Sequence, residues 1–104
     1  MNNTEIIQNN DIFLNNNSIY KEIEKKNKIS ENILTKYEKA KIIGIAAQQI
    51  ENGRKPALDI PNSLVNPIDI AEYELIHKKT PFILKRKLPN NMFEYFKIEQ
   101  LNIV

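Results

Sequence analysis

The sequence predicts an α+β fold, in which two packed helices precede a C-terminal β-hairpin in one small domain that follows an N-terminal extension. The prediction depends on two helical segments with marked ends, over residues 35–53 and 66–79, and on two apolar segments that flank a Pro-Asn-Asn turn. A chain of 104 residues has room for one domain. We place the extension at residues 1–34 and the domain at residues 35–104.

The extension is rich in Asn, which favours turns over helices, and only short apolar groups interrupt the Asn clusters. Ser18 could cap a short helix over residues 19–26. We expect residues 1–34 to be a flexible extension. The alternative is a segment that becomes ordered against a partner.

The first helix has signals at both ends. Thr35 stands at the N-cap and Glu38 follows three residues later, which is the spacing of a capping box. Asn52-Gly53 supplies a left-handed stop. At about 100° per residue, one apolar stripe is expected to face the core. Its members are Ala40, Ile43, Ala46, Ala47 and Ile50.

A second apolar group lies on another face of the same helix. Ile42 and Ile45 fall outside the predicted core stripe, among polar residues. Two isoleucines one turn apart predict a surface that binds a partner. Gly44 costs about 1 kcal/mol relative to alanine in mid-helix, so we expect another backbone to approach it.

The second helix is predicted to begin at Asn66-Pro67, with Asn as the cap and Pro in the first turn, and to run to about Lys79. Thr80-Pro81 should end it. Residues 57–60 are expected to form a short extended piece before it. Residues 82–88 and 92–98 read as the two strands of a hairpin around the turn at residues 89–91.

The composition argues against chemistry within this chain. The sequence has no Cys, one His (His77) and two Gly, which excludes a thiolate zinc site, a Cys nucleophile and a glycine-rich phosphate loop. The remaining acidic residues lack the spacing of metal ligands. We therefore predict no cofactor, no metal and no catalytic residue. Apolar runs stay well below the roughly 18 residues of a membrane helix, and no signal peptide is evident, so no membrane partner is expected.

The charge of the predicted domain is mildly basic, with eleven Lys and Arg against eight acidic residues in residues 35–104. Five basic residues form two clusters, Lys78-Lys79 and Lys85-Arg86-Lys87. They are either solvated or in contact with acidic protein or nucleic-acid backbone. Arg86 stands out because 13 of the 15 basic residues are Lys. Its guanidinium suits a specific ion pair, within the chain or with a partner.

Several segments together resemble a known family. The run T-K-Y-E-K-A-K-I-I-G over residues 35–44, followed by A-Q-Q-I-E-N-G over residues 47–53, is similar to the omega-type small subunit of DNA-directed RNA polymerase. This family includes the common sixth subunit of the eukaryotic enzymes, archaeal subunit K and bacterial omega. N-P-I-D-I-A over residues 66–71 resembles its second helix, and Pro81-Phe82 with Arg86 and Leu88-Pro89 resembles its hairpin. The match spans about residues 35–101.

The chain departs from the family pattern at several places. In the hairpin, Lys85-Arg86 stands where the family has Arg-Arg, Lys87 where an aromatic residue is common, and Asn90-Asn91 where the turn is Asp-Gly. Lys39-Ala40-Lys41 stands where the family has Arg-x-Arg, and the extension is nearly neutral where nuclear members carry a strongly acidic one. The abundance of Asn, Ile and Lys, whose codons are AT-rich, suits a polymerase encoded by a large DNA virus or by a divergent eukaryote.

The resemblance implies a non-catalytic subunit that binds the largest polymerase subunit and promotes assembly and stability of the enzyme. It implies contact with other polymerase subunits, and with DNA only through the assembled complex. The implied location is intracellular, in the nucleus of a eukaryote or in the virion or cytoplasmic factory of a virus. The residues expected to contact partners are Thr35, Tyr37, Glu38, Lys41, Ile42, Ile45, Gln49, Arg86, Leu88 and Pro89.

Two other functions remain open from the residues alone. One is an independent nucleic-acid-binding module that uses the two basic clusters, with strongly salt-dependent affinity. The other is a small enzyme, which would need a converging polar site.

Overall fold

A computed structural model describes residues 4–8 and 30–103 of the chain. Its elements in chain order are strand β1 (Thr4–Gln8), helix α1 (Lys36–Glu51), helix α2 (Pro67–Ile76), strand β2 (Phe82–Lys87), strand β3 (Phe93–Lys97) and a short 3₁₀ turn (Ile98–Gln100). The predicted α+β class is confirmed. The predicted short helix over residues 19–26 lies outside the described residues.

Both ends of α1 are where the sequence places them. The Thr35 hydroxyl accepts a hydrogen bond from the Glu38 N–H at 3.1 Å, and the Glu38 carboxylate accepts one from the Thr35 N–H at 3.1 Å. At the other end Gly53 has a φ of 108°. The N–H groups of Gly53 and Arg54 donate to the carbonyls of Ile50 and Gln49, which completes a Schellman motif.

Helix α2 begins as predicted and ends early. The Asn66 side chain accepts from the Ile68 N–H at 2.9 Å, with Pro67 in the first turn. The helix ends at Ile76 instead of about Lys79 because Lys78 adopts a left-handed conformation, with a φ of 57°. The Lys78 and Lys79 N–H groups then bond to carbonyls of the last turn. A Schellman motif therefore ends this helix too, with Lys in the position that glycine usually occupies.

The sheet has one strand more than predicted. All three strands are antiparallel in the order β1-β2-β3, with Ile6 opposite Leu84 and Leu84 opposite Phe96. The β2–β3 turn follows the prediction, since Asn91 has a φ of 63°. Strand β1 lies within residues 1–34, where no strand was expected. Residues 57–60 are irregular and form no strand, which corrects that prediction.

The core lies between the two helices and the sheet. Its fully buried apolar members include Ile42, Ala46, Ala71, Leu75, Leu84 and Leu101. The burial of Ile42 corrects the prediction that it faces a partner, and Ile45 also packs against the core. Ala40, which was predicted to be buried, is exposed. The buried face of α1 is therefore shifted from the predicted stripe toward the side that carries Glu38. The rest of the stripe is as predicted, since Ala46 and Ala47 are buried and Ile43 and Ile50 pack against the core.

Candidate partner-binding surface and its supporting ion pairs

Glu38, in the first turn of α1, is a buried carboxylate with four hydrogen-bond donors around it. The Arg86 side chain on β2 donates to both carboxylate oxygens, from Nε at 2.9 Å and from Nη2 at 2.8 Å. The Thr4 hydroxyl on β1 donates at 2.6 Å, and the Thr35 N–H supplies the capping-box bond. Glu38 therefore connects β1, α1 and β2 at one point. Arg86 was predicted to form an ion pair either within the chain or with a partner, and the pair that it forms with Glu38 is internal.

Arg86 uses its whole guanidinium in this network. Besides Glu38, Nη2 donates to the Ile33 carbonyl at 2.7 Å, and Nη1 donates to the Glu31 carbonyl and is 3.4 Å from the Ser30 hydroxyl. The Phe96 ring centre lies 4.9 Å from the guanidinium carbon, in cation–π range. Since arginine carries five N–H donors, its capacity is filled. The segment before α1 is thereby fixed against the sheet.

Burial alone would raise the pKa of Glu38. The side-chain hydrogen bonds from Arg86 and Thr4, the Thr35 N–H and the charge of Arg86 act in the opposite direction and together outweigh it. The pKa of Glu38 therefore lies below the ordinary value, and the carboxylate is ionised in the folded protein at neutral pH.

A second buried carboxylate, which the sequence analysis missed, connects the helices. Glu74 on α2 is fully buried and pairs with Arg54, with distances of 3.0 Å from Nη1 to Oε2 and 2.9 Å from Nη2 to Oε1. The Ala57 N–H also donates to Glu74 at 2.9 Å. This pair, with the Ala57 N–H, fixes the segment after α1 onto α2. The signal was available, because Arg54 is the other of two arginines in a lysine-rich chain.

A surface depression of about 360 Å³ brings several predicted residues together. Thr35, Glu38, Arg86 and Leu88 all line it, beside Ile33 from the segment before α1. Glu38, Arg86 and Leu88 are buried, so their side chains form its floor and walls more than an outward-facing surface.

The other predicted contact residues are spread along the molecule. Tyr37 is 59% exposed, and Lys41 and Pro89 are also exposed. The Lys41 ammonium donates to the Thr4 carbonyl at 3.2 Å. Gln49 lies near the far end of α1, half-buried, and its side-chain oxygen is buried without a hydrogen-bond partner among the described residues.

The basic cluster on β2 is divided between the two faces of the strand. Arg86 is buried in the network, and its neighbours Lys85 and Lys87 lie on the opposite face of β2. The Lys85 ammonium is 4.2 Å from the Phe93 ring centre and 3.8 Å from the Glu5 carboxylate. Arg86, the one arginine of the two basic clusters, is therefore engaged within the chain, which weakens the interpretation of these clusters as a nucleic-acid-binding surface.

His77 is exposed beside Tyr73. Its Nδ1 lies 2.8 Å from the Tyr73 carbonyl, and the two rings are 4.2 Å apart. Within residues 4–8 and 30–103, no three His, Cys, Asp or Glu side chains converge as metal ligands would. The helices in these residues are too short or too polar to cross a bilayer.

Comparison with known proteins gives consistent matches. The family model described as RNA polymerase Rpb6 matches residues 28–82, which include α1, α2 and the segment between them. The DNA-directed RNA polymerase subunit 6 of Acanthamoeba polyphaga mimivirus is 35% identical over 85 residues, which are 82% of this chain and 21% of that protein.

Eukaryotic and archaeal proteins match as well. The subunit RPABC2 of DNA-directed RNA polymerases I, II and III from Saccharomyces cerevisiae is 36% identical over 81 residues, 78% of this chain and 52% of that protein. The DNA-directed RNA polymerase subunit Rpo6 of Picrophilus torridus is 46% identical over 54 residues, 52% of this chain and 90% of that protein. The chain thus spans about half of the yeast relative and most of the archaeal one.

Proposed function

The chain belongs to the RNA polymerase Rpb6 family, and from that premise we propose that it is a non-catalytic subunit of a multisubunit DNA-directed RNA polymerase. In this role it binds the largest subunit and promotes assembly and stability of the enzyme during transcription. The observation that carries the proposal is the match over residues 28–82, which covers both helices without interruption.

The internal contacts support a clamping role. Two buried arginine–glutamate pairs fix the segments on either side of α1, one to the sheet and one to α2. A small domain braced in this way can hold parts of a larger chain at a fixed separation. The carboxylates of both pairs are engaged inside the domain, which fits binding better than catalysis.

We place the contact surface on the exposed side of α1 and on the neighbouring hairpin turn. Thr35, Tyr37, Lys41 and Pro89 are the predicted contact residues that face outward. The buried members of the predicted set, Glu38, Ile42, Arg86 and Leu88, and the half-buried Ile45 act by holding that surface in shape. Gln49 extends the surface toward the end of α1.

The proposed partners are the largest subunit first and other polymerase subunits second, with DNA contacted only through the assembled complex. The proposed location follows the enzyme. It is intracellular, in the nucleus of a eukaryotic source or in the virion or viral factory of a viral one.

Exchange of Tyr37 for Asp tests this role. Tagged wild-type and variant chains are expressed together in the native source, the polymerase is purified through its largest subunit, and the ratio of the two chains is measured. We expect at least about tenfold less variant than wild type in the enzyme, because exposed aromatic side chains often dominate interface energy. The free variant should melt like the wild type, because Tyr37 is 59% exposed.

The matched control is Val65→Asp, which also places a carboxylate at an exposed apolar position, 82% exposed, outside the proposed surface. It should enter the enzyme at the wild-type level. Absence of the wild-type chain from the purified polymerase would refute the proposed function.

A further inference from the structure

We propose that the outward face of α1 around Gly44 receives the backbone of an acidic, apolar segment of another polymerase subunit. The inference rests on the proposed function and deepens it, since it gives both a place on this chain and a chemistry for the partner.

The first observation is a glycine that the fold does not need. Gly44 lies in the middle of α1 and is exposed, and a Cβ built there would meet no atom within 4 Å among the described residues. Its φ is not positive, so no left-handed conformation calls for glycine. Glycine weakens a helix relative to alanine, yet nothing within residues 4–8 and 30–103 explains its presence. Close approach of another backbone does explain it.

The second observation is an apolar groove beside Gly44. The groove is about 350 Å³ and is lined by Leu34, Ala40 and Ile43, with Lys36 and Lys39 at its edge. Ala40 precedes Gly44 by one helical turn, so the two small residues are neighbours on the helix surface. A partner backbone over Gly44 could therefore place an apolar side chain in the groove.

The third observation is the sign of the charge around this face. Lys36, Lys39 and Lys41 all project from the first turns of α1, and the carboxylate of that region, Glu38, is buried against Arg86. The exposed charge over residues 35–50 is therefore positive, and the one exposed carboxylate of α1, Glu51, stands at its last residue, about two turns beyond Gly44. Complementarity favours a segment that carries Asp or Glu on both sides of its apolar residue.

The apolar groove favours protein over nucleic acid as the occupant. Nucleic-acid surfaces of free-standing domains carry a denser basic patch, with arginines available to phosphates. Here both arginines are engaged with buried glutamates.

The test uses Gly44→Ala, which should raise the stability of the free chain and lower its binding to the partner. The melting temperature of the free chain should rise by about 4 to 8 °C, because alanine is the better helix former and the new methyl group meets open space. In competition with wild type in the native source, incorporation into the purified polymerase should fall about tenfold, because the methyl group overlaps the partner backbone. Glu72→Ala, an exposed substitution on α2, is the control and should leave incorporation unchanged.

A photo-crosslinking lysine analogue at position 39 identifies the occupant. The expected product joins this chain to a segment of a polymerase subunit that has carboxylates next to an apolar residue. A crosslink to nucleic acid, or to a basic segment, would overturn the inference. Incorporation of Gly44→Ala at the wild-type level would also overturn the inference. That result would leave the proposed function standing, because the wild-type chain would still be found in the polymerase. Absence of wild type from the polymerase would overturn both.

Discussion

The two arginines of this chain have the same use. Arg54 and Arg86 each make a bidentate contact with a buried glutamate, although thirteen of the fifteen basic residues in the chain are lysines. The planar guanidinium donates two parallel hydrogen bonds, which an ammonium group cannot do. The scarcity of arginine in the sequence therefore predicted a specific ion pair at Arg86, and the same argument applies to Arg54. The partners could not be predicted, because they lie 48 and 20 residues away.

Arg86→Lys should destabilise the domain by about 2–3 kcal/mol in urea denaturation at neutral pH. Lysine keeps one positive charge near Glu38, but it cannot reach both carboxylate oxygens and the Ile33 carbonyl together, so buried acceptors lose donors. Lys87→Ala, on the exposed face of the same strand, should stay within about 0.5 kcal/mol of wild type. Equal stability of Arg86→Lys and wild type would contradict this expectation. It would show that one positive charge near Glu38 stabilises the domain as much as the whole hydrogen-bond network of Arg86.

At the scale of elements, features that depend on residues close in sequence were predicted correctly from the sequence, and features that depend on distant residues were not. The capping box and the Asn-Gly stop of α1 were predicted correctly, because caps depend on residues within one turn. The buried face was predicted only in part, since Ala46 and Ala47 are buried whereas Ala40 is exposed. Glu38 was expected to contact a partner, and its pairing with Arg86 allows that side of the helix to turn inward. The predicted core face then became, in part, the open groove at Ala40 and Ile43.

Strand β1 was missed for a related reason. Five residues are too few for periodicity to be recognised. What fixes the strand is its pairing with β2, almost eighty residues away, and the contact of Thr4 with Glu38.

Lys78→Gly should stabilise the domain by about 0.5–1 kcal/mol. Lys78 holds a left-handed conformation that costs little for glycine, and its N–H bond to the Leu75 carbonyl is kept. The measurement is thermal or urea unfolding of the isolated chain. Lys79→Gly removes the same charge one residue later, where φ is not positive, and should give no gain. A gain from both variants would point to charge instead of backbone conformation.

At the scale of the whole molecule, the Glu38 network should set the acid limit of stability. The pKa of Glu38 is lower in the folded protein than in the unfolded chain. The unfolded state therefore binds the proton first as the pH falls. The stabilisation is complete above the ordinary glutamate value of about 4.5 and is lost as the pH falls through the folded-state pKa.

Urea denaturation between pH 7 and pH 3 checks this expectation. The free energy of unfolding of wild type should fall below about pH 4.5. Glu38→Gln should be less stable at neutral pH and should lose less on acidification, whereas the exposed Glu72→Gln should follow the wild-type curve. Parallel curves for wild type and Glu38→Gln would mean that other groups control acid unfolding.

Ile33 and Asn102 are partners in a parallel bridge, in which the Leu34 N–H donates to the Asn102 carbonyl at 2.9 Å and the Asn102 N–H donates to the Asn32 carbonyl at 2.7 Å. The beginning and the end of residues 30–103 thus lie side by side, while β1, from earlier in the chain, completes the sheet. Residues added after Ile103 would leave the domain beside the point where residue 30 enters it, and they would not need to displace either helix.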